Sequence, residues 1–207
     1  MFFKLSSIED TQGYTQLVQW HPCKHIIFAC GFDNTIKIWV PDASMLNWEC
    51  IQTLGESDGV HGHKIWALAF NGRGNKVVTC SDNGTITIWS LDIDGMQYGG
   101  KHFLNGIHLG SLTGYHDQHI NSVLWSREGE EKICTAAADG VMCFFIENGE
   151  KLYSDNIESP YKLLLKKNHA HEKAINSIQW CSQDNSRLAS ASDDGTIKIW
   201  ELASLQV

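Results

Sequence analysis

Histidine, serine and aspartate are the residues of this chain that could do chemistry, and they recur together along the sequence. His171, Ser190 and Asp194 form the most complete set. These three residue types act as base, nucleophile and orienting acid in many hydrolases. The set closes on Trp200, whose indole has no catalytic role, and related sets occur earlier in the chain. We therefore interpret the set as structural rather than catalytic.

The seven cysteines and ten histidines could also bind a metal ion, but their spacing does not favour this. There is no Cys-x-x-Cys pair, and no Cys or carboxylate pair is placed to complete a zinc site with His61/His63 or His169/His171. Four cysteines lie in apolar segments, where cysteine packs as a small hydrophobic residue: Cys30, Cys80, Cys134 and Cys143. We predict buried, reduced thiols, with no metal and no cofactor.

The composition limits the classes of partner. The net charge of −8, from 16 basic and 24 acidic residues, argues against a nucleic-acid partner. The one basic cluster, Lys162, Lys166 and Lys167, is interpreted as a solvated strand edge. No apolar run reaches the about 18 residues that span a bilayer, so no membrane partner is expected. The first residues, MFFKL, are too short for a signal peptide, which favours a cytoplasmic location.

Four repeated segments must position these side chains. Their closing aromatic residues, Trp39, Trp89, Phe145 and Trp200, are 50 to 56 residues apart, which exceeds the about 40–45 residues of a standard repeat. In every segment a turn residue lies six positions before the closing aromatic residue. Those turn residues are Asp33, Asn83, Asp139 and Asp194.

The repeated segments have the pattern of short strands. TIKIW and TITIW alternate apolar with polar residues, as a strand with one wet face does. DNG and DDG are tight-turn sequences, because Asn, Asp and Gly tolerate positive φ. Each segment therefore predicts a small antiparallel sheet, and such a sheet must pack against its neighbours to be stable.

In these features the chain resembles the WD40 family, whose repeats build β-propellers. The resemblance implies that a histidine, a hydroxyl residue, a turn residue and a tryptophan form a buried hydrogen-bond chain in each repeat. The matching residues are His171, Ser190, Asp194 and Trp200 in unit four, His116, Thr135 and Asp139 in unit three, and His61, Thr79, Asn83 and Trp89 in unit two. Unit three ends on Phe145, which has no N–H, and unit one has Thr11 and Ala29 where a histidine and a hydroxyl are expected.

The resemblance implies an all-β fold with four blades of a partial seven-bladed WD40 β-propeller, arranged as an open arc. Four units are predicted at residues 10–55, 56–114, 115–168 and 169–207. Residues 1–9 are predicted to be the outer strand of a preceding blade.

Several short sequence motifs narrow the resemblance further, among them GYHDQHI at the entry to unit three and HAH at the entry to unit four. They resemble blades four to seven of the WD40 subunit of the cytosolic iron–sulfur protein assembly (CIA) targeting complex. The resemblance implies a scaffold without enzyme activity that helps deliver Fe–S clusters to cytosolic and nuclear apoproteins. Its implied partners are a small subunit with an acidic loop, a helical-repeat adaptor and the apoproteins.

Two other functions stay open at this point. One is another WD40 scaffold, such as a ubiquitin-ligase substrate receptor or a chromatin adaptor. The other is an enzyme of the propeller class, which would need polar residues that converge in the central channel.

Partner contacts are expected on the face that carries the connections leading into each first strand. Lys64 and Trp66 flank Ile65 there, and Trp66 is expected to be exposed at the mouth of the channel. The alternative is a tryptophan that the adjacent blade covers. An exposed tryptophan is a common interface hot spot. The position of Trp66 is held in the other units by Gln16, Asn121 and Asn176.

Overall fold

The computed structural model describes residues 4, 6–9, 14–55, 62–92, 105–126, 131–148, 159–183 and 186–202. Within these ranges the chain forms 15 strands in four antiparallel sheets and contains no helix. Each sheet lies within one of the four predicted units, and its strands follow one another in sequence order.

The first two sheets have four strands each. The first sheet contains β1 (Thr15–Trp20), β2 (Ile27–Gly31), β3 (Ile36–Pro41) and β4 (Trp48–Leu54). The second sheet contains β5 (Ile65–Phe70), β6 (Lys76–Ser81), β7 (Ile86–Asp92) and β8 (Asn105–Leu112).

The third sheet has four strands and the fourth has three. The third sheet contains β9 (Ile120–Trp125), β10 (Lys132–Ala137), β11 (Met142–Glu147) and β12 (Tyr161–Lys167). The fourth sheet contains β13 (Ile175–Trp180), β14 (Arg187–Ser192) and β15 (Ile197–Glu201).

The turns between the second and third strands dock onto the next sheet. Gly140 has φ +72°, and a Cβ at this position would lie 2.5 Å from the carbonyl oxygen of His171. Gly84 has φ +77°, and a Cβ there would lie 2.7 Å from the carbonyl oxygen of His116. Only glycine fits both the positive φ and the close backbone approach. The turn glycines therefore help to fix each sheet against its successor.

The core lies between the sheets. Successive first strands β1, β5, β9 and β13 contact one another, so the sheets radiate from a common inner side. Three apolar clusters fill the three spaces between neighbouring sheets. Both faces of the second and third sheets are thus covered, and their two middle strands are nearly continuous runs of buried residues.

The arc of four sheets is open at both ends. On the free face of the first sheet, Val18 and Trp20 have exposed fractions of 60% and 55%. On the free face of the fourth sheet, Ile197 and Ile199 have exposed fractions of 75% and 69%. The expected four-sheet open arc is therefore the observed arrangement.

The predicted outer strand in residues 1–9 stays a prediction, because residues 1–3 and 5 lie outside the described ranges. Lys4 and Ser6–Glu9 are described and are not in a strand. The hydroxyl of Ser6 donates a hydrogen bond to the carbonyl of Leu46, which lies in the β3–β4 connection of the first sheet.

Polar contacts also join neighbouring sheets. In the first, Nδ1 of His21 accepts hydrogen bonds from the N–H groups of Cys23 and Lys24, both at 3.1 Å. The proton therefore lies on Nε2, which donates to the carbonyl of Gly74 in the second sheet at 2.9 Å. Burial lowers the pKa of His21, so its ring is neutral at pH 7.

A second polar contact joins the second and third sheets. The ammonium of Lys76 donates to Glu131 at 2.8 Å, to Glu147 at 3.0 Å and to the Tyr161 hydroxyl at 3.2 Å. Asn71 donates to the other carboxylate oxygen of Glu131 at 2.8 Å. These contacts fix the second and third sheets relative to each other at the edge where β6 and β12 begin.

Candidate interaction surface

The predicted hydrogen-bond chain of unit four is complete in the structure. Nδ1–H of His171 donates to Asp194 at 2.8 Å, so Nε2 accepts from the Ser190 hydroxyl at 2.7 Å. The Ser190 oxygen in turn accepts from the indole N–H of Trp200 at 2.8 Å. His171 and Ser190 are each 2% exposed. Because the hydroxyl is buried and engaged on both sides, this set cannot attack a substrate.

Unit three has the shortened chain that its sequence predicts. Nε2 of His116 accepts from Thr135 at 2.8 Å, and Nδ1–H donates to Asp139 at 3.3 Å. Phe145 is fully buried at the closing position and donates nothing. Burial raises the pKa of Asp139, but hydrogen bonds from His116 and two backbone N–H groups outweigh it and leave that pKa below its ordinary value. The chain therefore ends at Thr135.

Unit two is only partly described. The indole N–H of Trp89 donates to Thr79 at 3.2 Å, as predicted. His61 lies outside the described residues, so its place in the chain stays a prediction. Asn83 accepts from Ser81 and from the N–H of Thr85, so it caps its own turn.

Unit one replaces the missing histidine chain with an ion pair that the sequence analysis did not predict. Thr11 lies outside the described residues, and Ala29 carries no hydroxyl. Lys37, which pairs with Ala29 across the strands, is 8% exposed and donates to Asp33 at 2.8 Å. Burial raises the pKa of Asp33, yet the hydrogen bonds from Lys37 and Thr35 lower it overall.

These hydrogen bonds and the ion pair involve the turn between the second and third strands of each sheet. The first strand begins at the same edge of the sheet, and in every unit it begins with the same irregularity. Each first strand contains one extra residue that has no partner on the second strand, which is a β-bulge. A bulge re-aims a side chain away from the regular alternation of a strand. The four extra residues are Gln16, Trp66, Asn121 and Asn176. They are the four positions that the sequence predicts to be equivalent and to bind partners.

The bulge residues differ in what they contact. Trp66 is half-buried, because its ring stacks on His119 of the third sheet with centroids 5.4 Å apart and an interplanar angle of 29°. Of the two arrangements considered for Trp66, exposed at the channel mouth or covered by the adjacent blade, the structure therefore shows the covered one. Asn121 donates to the carbonyl of Ile175 at 3.0 Å, Asn176 is exposed and donates to Asp193 at 2.6 Å, and Gln16 is exposed.

Trp66 belongs to a row of aromatic rings that crosses three sheets. Phe32 lies 5.6 Å from Trp66, and Tyr14 lies 6.5 Å from Phe32, measured between ring centroids. We call these residues, together with His119, the aromatic row. Tyr14 is 82% exposed and Phe32 is 36% exposed. The ammonium of Lys64 lies 4.7 Å from the Phe32 centroid, a cation–π contact.

Of the residues in and beside the aromatic row, only Lys64 and Trp66 were predicted from the sequence. Tyr14 and Phe32 lie near the start of β1 and just after β2, so the antiparallel pairing of these strands brings them together. The repeat pattern could have indicated this, because strand starts and second-strand ends meet at one edge of every sheet. This surface has exposed aromatic side chains beside the ammonium of Lys64. Such a combination suits protein binding.

Metal ligation finds no support among the described residues, where no group of three or more His, Cys, Asp or Glu side chains could hold an ion. All seven cysteines are free, and Cys30, Cys80, Cys134 and Cys143 are buried, as predicted. Burial raises the pKa of Cys30 and of Cys143 to about 12, so these thiols stay protonated. Within the part of the chain that the structure describes, no helix is long and apolar enough to cross a membrane.

Comparison with known proteins agrees with this geometry. The sequence profile of the WD domain, G-beta repeat, matches residues 10–40, 48–90 and 162–201. The chain belongs to the WD40 family. The matched segments cover more than half of its length, and β9 to β11 of the third sheet, with Phe145 in place of tryptophan, lie between the last two of them.

Of three similar proteins, the first two below carry names that agree with the narrower resemblance, and the third is named for a different complex. Protein CIA1 of Arabidopsis thaliana is 45% identical over 159 residues, which are 76% of this chain and 43% of that protein. The probable cytosolic iron–sulfur protein assembly protein Ciao1 of Aedes aegypti is 28% identical over 171 residues, 81% of this chain and 48% of that protein. Elongator complex protein 2 of Schizosaccharomyces pombe is 25% identical over 127 residues, 58% of this chain and 15% of that protein. The chain spans less than half the length of these relatives.

Proposed function

We propose that this WD40 chain is a protein-interaction scaffold in cytosolic iron–sulfur protein assembly, not an enzyme. The observation that carries the proposal is the 45% identity to Protein CIA1 across 76% of this chain. The polar sets that resemble a hydrolase site are buried and serve the fold, which is what a scaffold requires.

The proposed partners follow the resemblance. They are a small subunit with an acidic loop, a helical-repeat adaptor and Fe–S apoproteins, met in the cytoplasm and the nucleus. The Fe–S cluster is the cargo of this system, and this chain would hold proteins rather than the cluster. The high pKa values of its buried thiols support that division of labour.

We further propose that partners bind at the aromatic row and at the four bulge positions. Tyr14 and Phe32 supply exposed aromatic area, and Lys64 supplies a positive charge beside them. Gln16, Asn121 and Asn176 continue the surface along the same edge, where their amides can bond to a partner's backbone. Tyrosine, tryptophan and basic residues of this kind dominate the energetics of many interfaces.

Affinity capture from cells tests the function. The tagged 207-residue chain should recover iron–sulfur assembly subunits, identified by mass spectrometry. Recovery of cullin adaptors or histones in their place would indicate a ubiquitin-ligase receptor or a chromatin adaptor and would refute the assignment.

Two variants and a matched control then test the surface. Tyr14→Ala and Trp66→Ala should each weaken binding of the recovered subunit at least about tenfold in a titration with purified proteins. Leu165→Ala removes a 44% exposed apolar side chain from the outer strand of the third sheet and should leave binding unchanged. If all three variants bind like the parent, the aromatic row is not the binding surface.

A further inference from the structure

The outermost strands of the first three sheets leave part of their backbone unpaired. β4, β8 and β12 each pair with a single strand of their own sheet, so alternate N–H and C=O groups point away from the sheet. Among the described residues, the only backbone partners of β8 lie in β7. Such an edge is a template for pairing with another chain unless the protein protects it.

The three outer strands carry different residues at one equivalent position. Glu49, Ile107 and Lys162 each pair with the residue that directly follows the closing aromatic residue of their unit. All three side chains are exposed, and that of Ile107 is 53% exposed. Charged side chains on an edge strand discourage pairing with another chain. β4 and β12 therefore have a protecting charge where β8 has an exposed isoleucine.

The rest of β8 is equally unprotected by charge or by short length. Its eight residues, NGIHLGSL, include no lysine, arginine, aspartate or glutamate, whereas β12 contains three lysines. β8 is also the longest strand in the described ranges. The extra residue Leu109 interrupts its pairing with β7, but β4 and β12 have the same irregularity, so this feature does not distinguish the three edges. Of these outer strands, β8 has the edge that is most open to a further strand.

The neighbouring sheets hold β8 in place from both sides. A Cβ at Gly106 would lie 2.7 Å from the side chain of Leu54 in β4, so the two outer strands are in close contact there. A Cβ at Gly110 would lie 2.9 Å from the ring of Pro160, directly before β12. A strand that is already fixed loses little freedom when it binds, and this favours affinity.

We propose that β8 binds an extended, uncharged segment of a partner protein, which adds to the second sheet as a fifth strand. The backbone of the segment bonds to the unpaired N–H and C=O groups of β8. Since successive side chains of a strand point to opposite faces, an apolar residue of the segment lies beside Ile107 and a small polar residue beside the exposed ring of His108.

The charge of the chain favours a different protein over a second copy as the occupant of this edge. Each copy has a net charge of −8, so two copies repel each other. An uncharged segment meets no such repulsion along β8. The edge is also separate from the aromatic row, because β8 is three strands away from β5, which carries Trp66. The proposal therefore does not depend on the function proposed above.

Titration of the full 207-residue chain with a synthetic peptide tests the proposal. The probe is a heptapeptide with blocked ends, in which serine, threonine and valine residues surround a central isoleucine, because β-branched residues favour strands. In NMR spectra, saturating peptide should slow exchange of the outward-facing amides of β8 at least about tenfold, since these amides gain a hydrogen-bond acceptor. A peptide with glutamate in place of the isoleucine should bind at least about tenfold more weakly.

Two variants and a control locate the contact. Ile107→Lys gives β8 the residue that β12 has at the equivalent position and should weaken peptide binding at least about tenfold. Leu165→Lys, at a 44% exposed position of β12, should bind like the parent. Tyr14→Ala should also bind like the parent, which separates this edge from the aromatic row. Circular dichroism checks that each variant folds.

Three results would overturn the proposal. The first is exchange of the β8 amides that the peptide does not slow. The second is an Ile107→Lys variant that binds the peptide like the parent. The third is β8 exchange that slows with rising protein concentration in the absence of peptide, which would show that a second copy occupies the edge.

Discussion

The hydroxyl of Ser190 links the buried hydrogen bonds of the fourth sheet, and its removal should lower the free energy of unfolding. In Ser190→Ala, the indole N–H of Trp200 loses its acceptor at 2.8 Å, and Nε2 of His171 loses its donor at 2.7 Å. An unpaired buried polar group costs about 1–3 kcal/mol. His171 is 2% exposed and Trp200 is half-buried, so we expect the free energy of unfolding to fall by about 2–4 kcal/mol.

The third sheet offers a matched comparison. Thr135→Val replaces only a hydroxyl by a methyl group of similar shape, and a single partner, Nε2 of His116, is left unpaired at 2.8 Å. Phe145 has no N–H to lose. The expected loss is about 1–2 kcal/mol, clearly below that of Ser190→Ala.

Urea unfolding followed by circular dichroism and tryptophan fluorescence measures both losses as shifts of the midpoint at constant slope. Trp200→Phe gives the fourth sheet the closing residue of the third and serves as the reciprocal control. In that background Ser190→Ala should cost less than it does alone, which a double-mutant cycle reports as coupling. Equal losses for Ser190→Ala and Thr135→Val, or no coupling to Trp200, would show that the indole does not belong to an energetic chain.

Three further predictions concern the contacts between sheets. The folded state lowers the pKa of His21 below its ordinary 6.5, so the unfolded chain takes up the proton first and stability should fall as the pH drops below 6.5. His21→Gln should weaken this pH dependence in urea midpoints measured from pH 7 to 5, whereas His25→Gln, at an exposed position, should keep it. If the midpoint of His21→Gln still falls steeply with pH, His21 is not the group responsible. Lys76→Met should lower the free energy of unfolding by about 1–2 kcal/mol, because the partly buried carboxylate of Glu131 loses its cation. Adding Glu131→Gln should recover part of that loss, and strictly additive losses would argue against the contact. Gly140→Ala should lower the thermal midpoint, because φ is +72° and the new Cβ would meet the backbone of the next sheet; an unchanged midpoint in calorimetry would show that this docking is dispensable.

The regular part of the fold could be predicted from the sequence, because repetition makes each unit a check on the others. The fixed spacings identified equivalent residues in the units, and the resemblance to the WD40 family placed His171, Ser190 and Asp194 in one hydrogen-bond chain, which the structure shows. The equivalence of Trp66 with Asn176 also followed from the repeat, and both are bulge residues.

Contacts that differ between units could not be predicted in this way. Glu131 and Lys76 are 55 positions apart and lie in different units, so no spacing within a unit indicates their contact. The cover of Trp66 by His119 depends on how two neighbouring sheets are inclined, which a pattern within one unit does not contain. Lys37 holds a strand position that is Thr87 in the second unit, and only the missing histidine of unit one could have indicated its ion pair with Asp33.

The bulge at the start of each first strand has a consequence for how such a protein can evolve. A bulge residue takes no part in strand pairing, so selection can replace it without disturbing the sheet. The four equivalent sites already hold three kinds of side chain: glutamine at Gln16, tryptophan at Trp66, and asparagine at Asn121 and Asn176. Since each site belongs to a separate repeat, a change at one leaves the other three intact. On the proposed binding surface, partner preference would therefore be altered one repeat at a time, on a framework whose strand pairing stays the same.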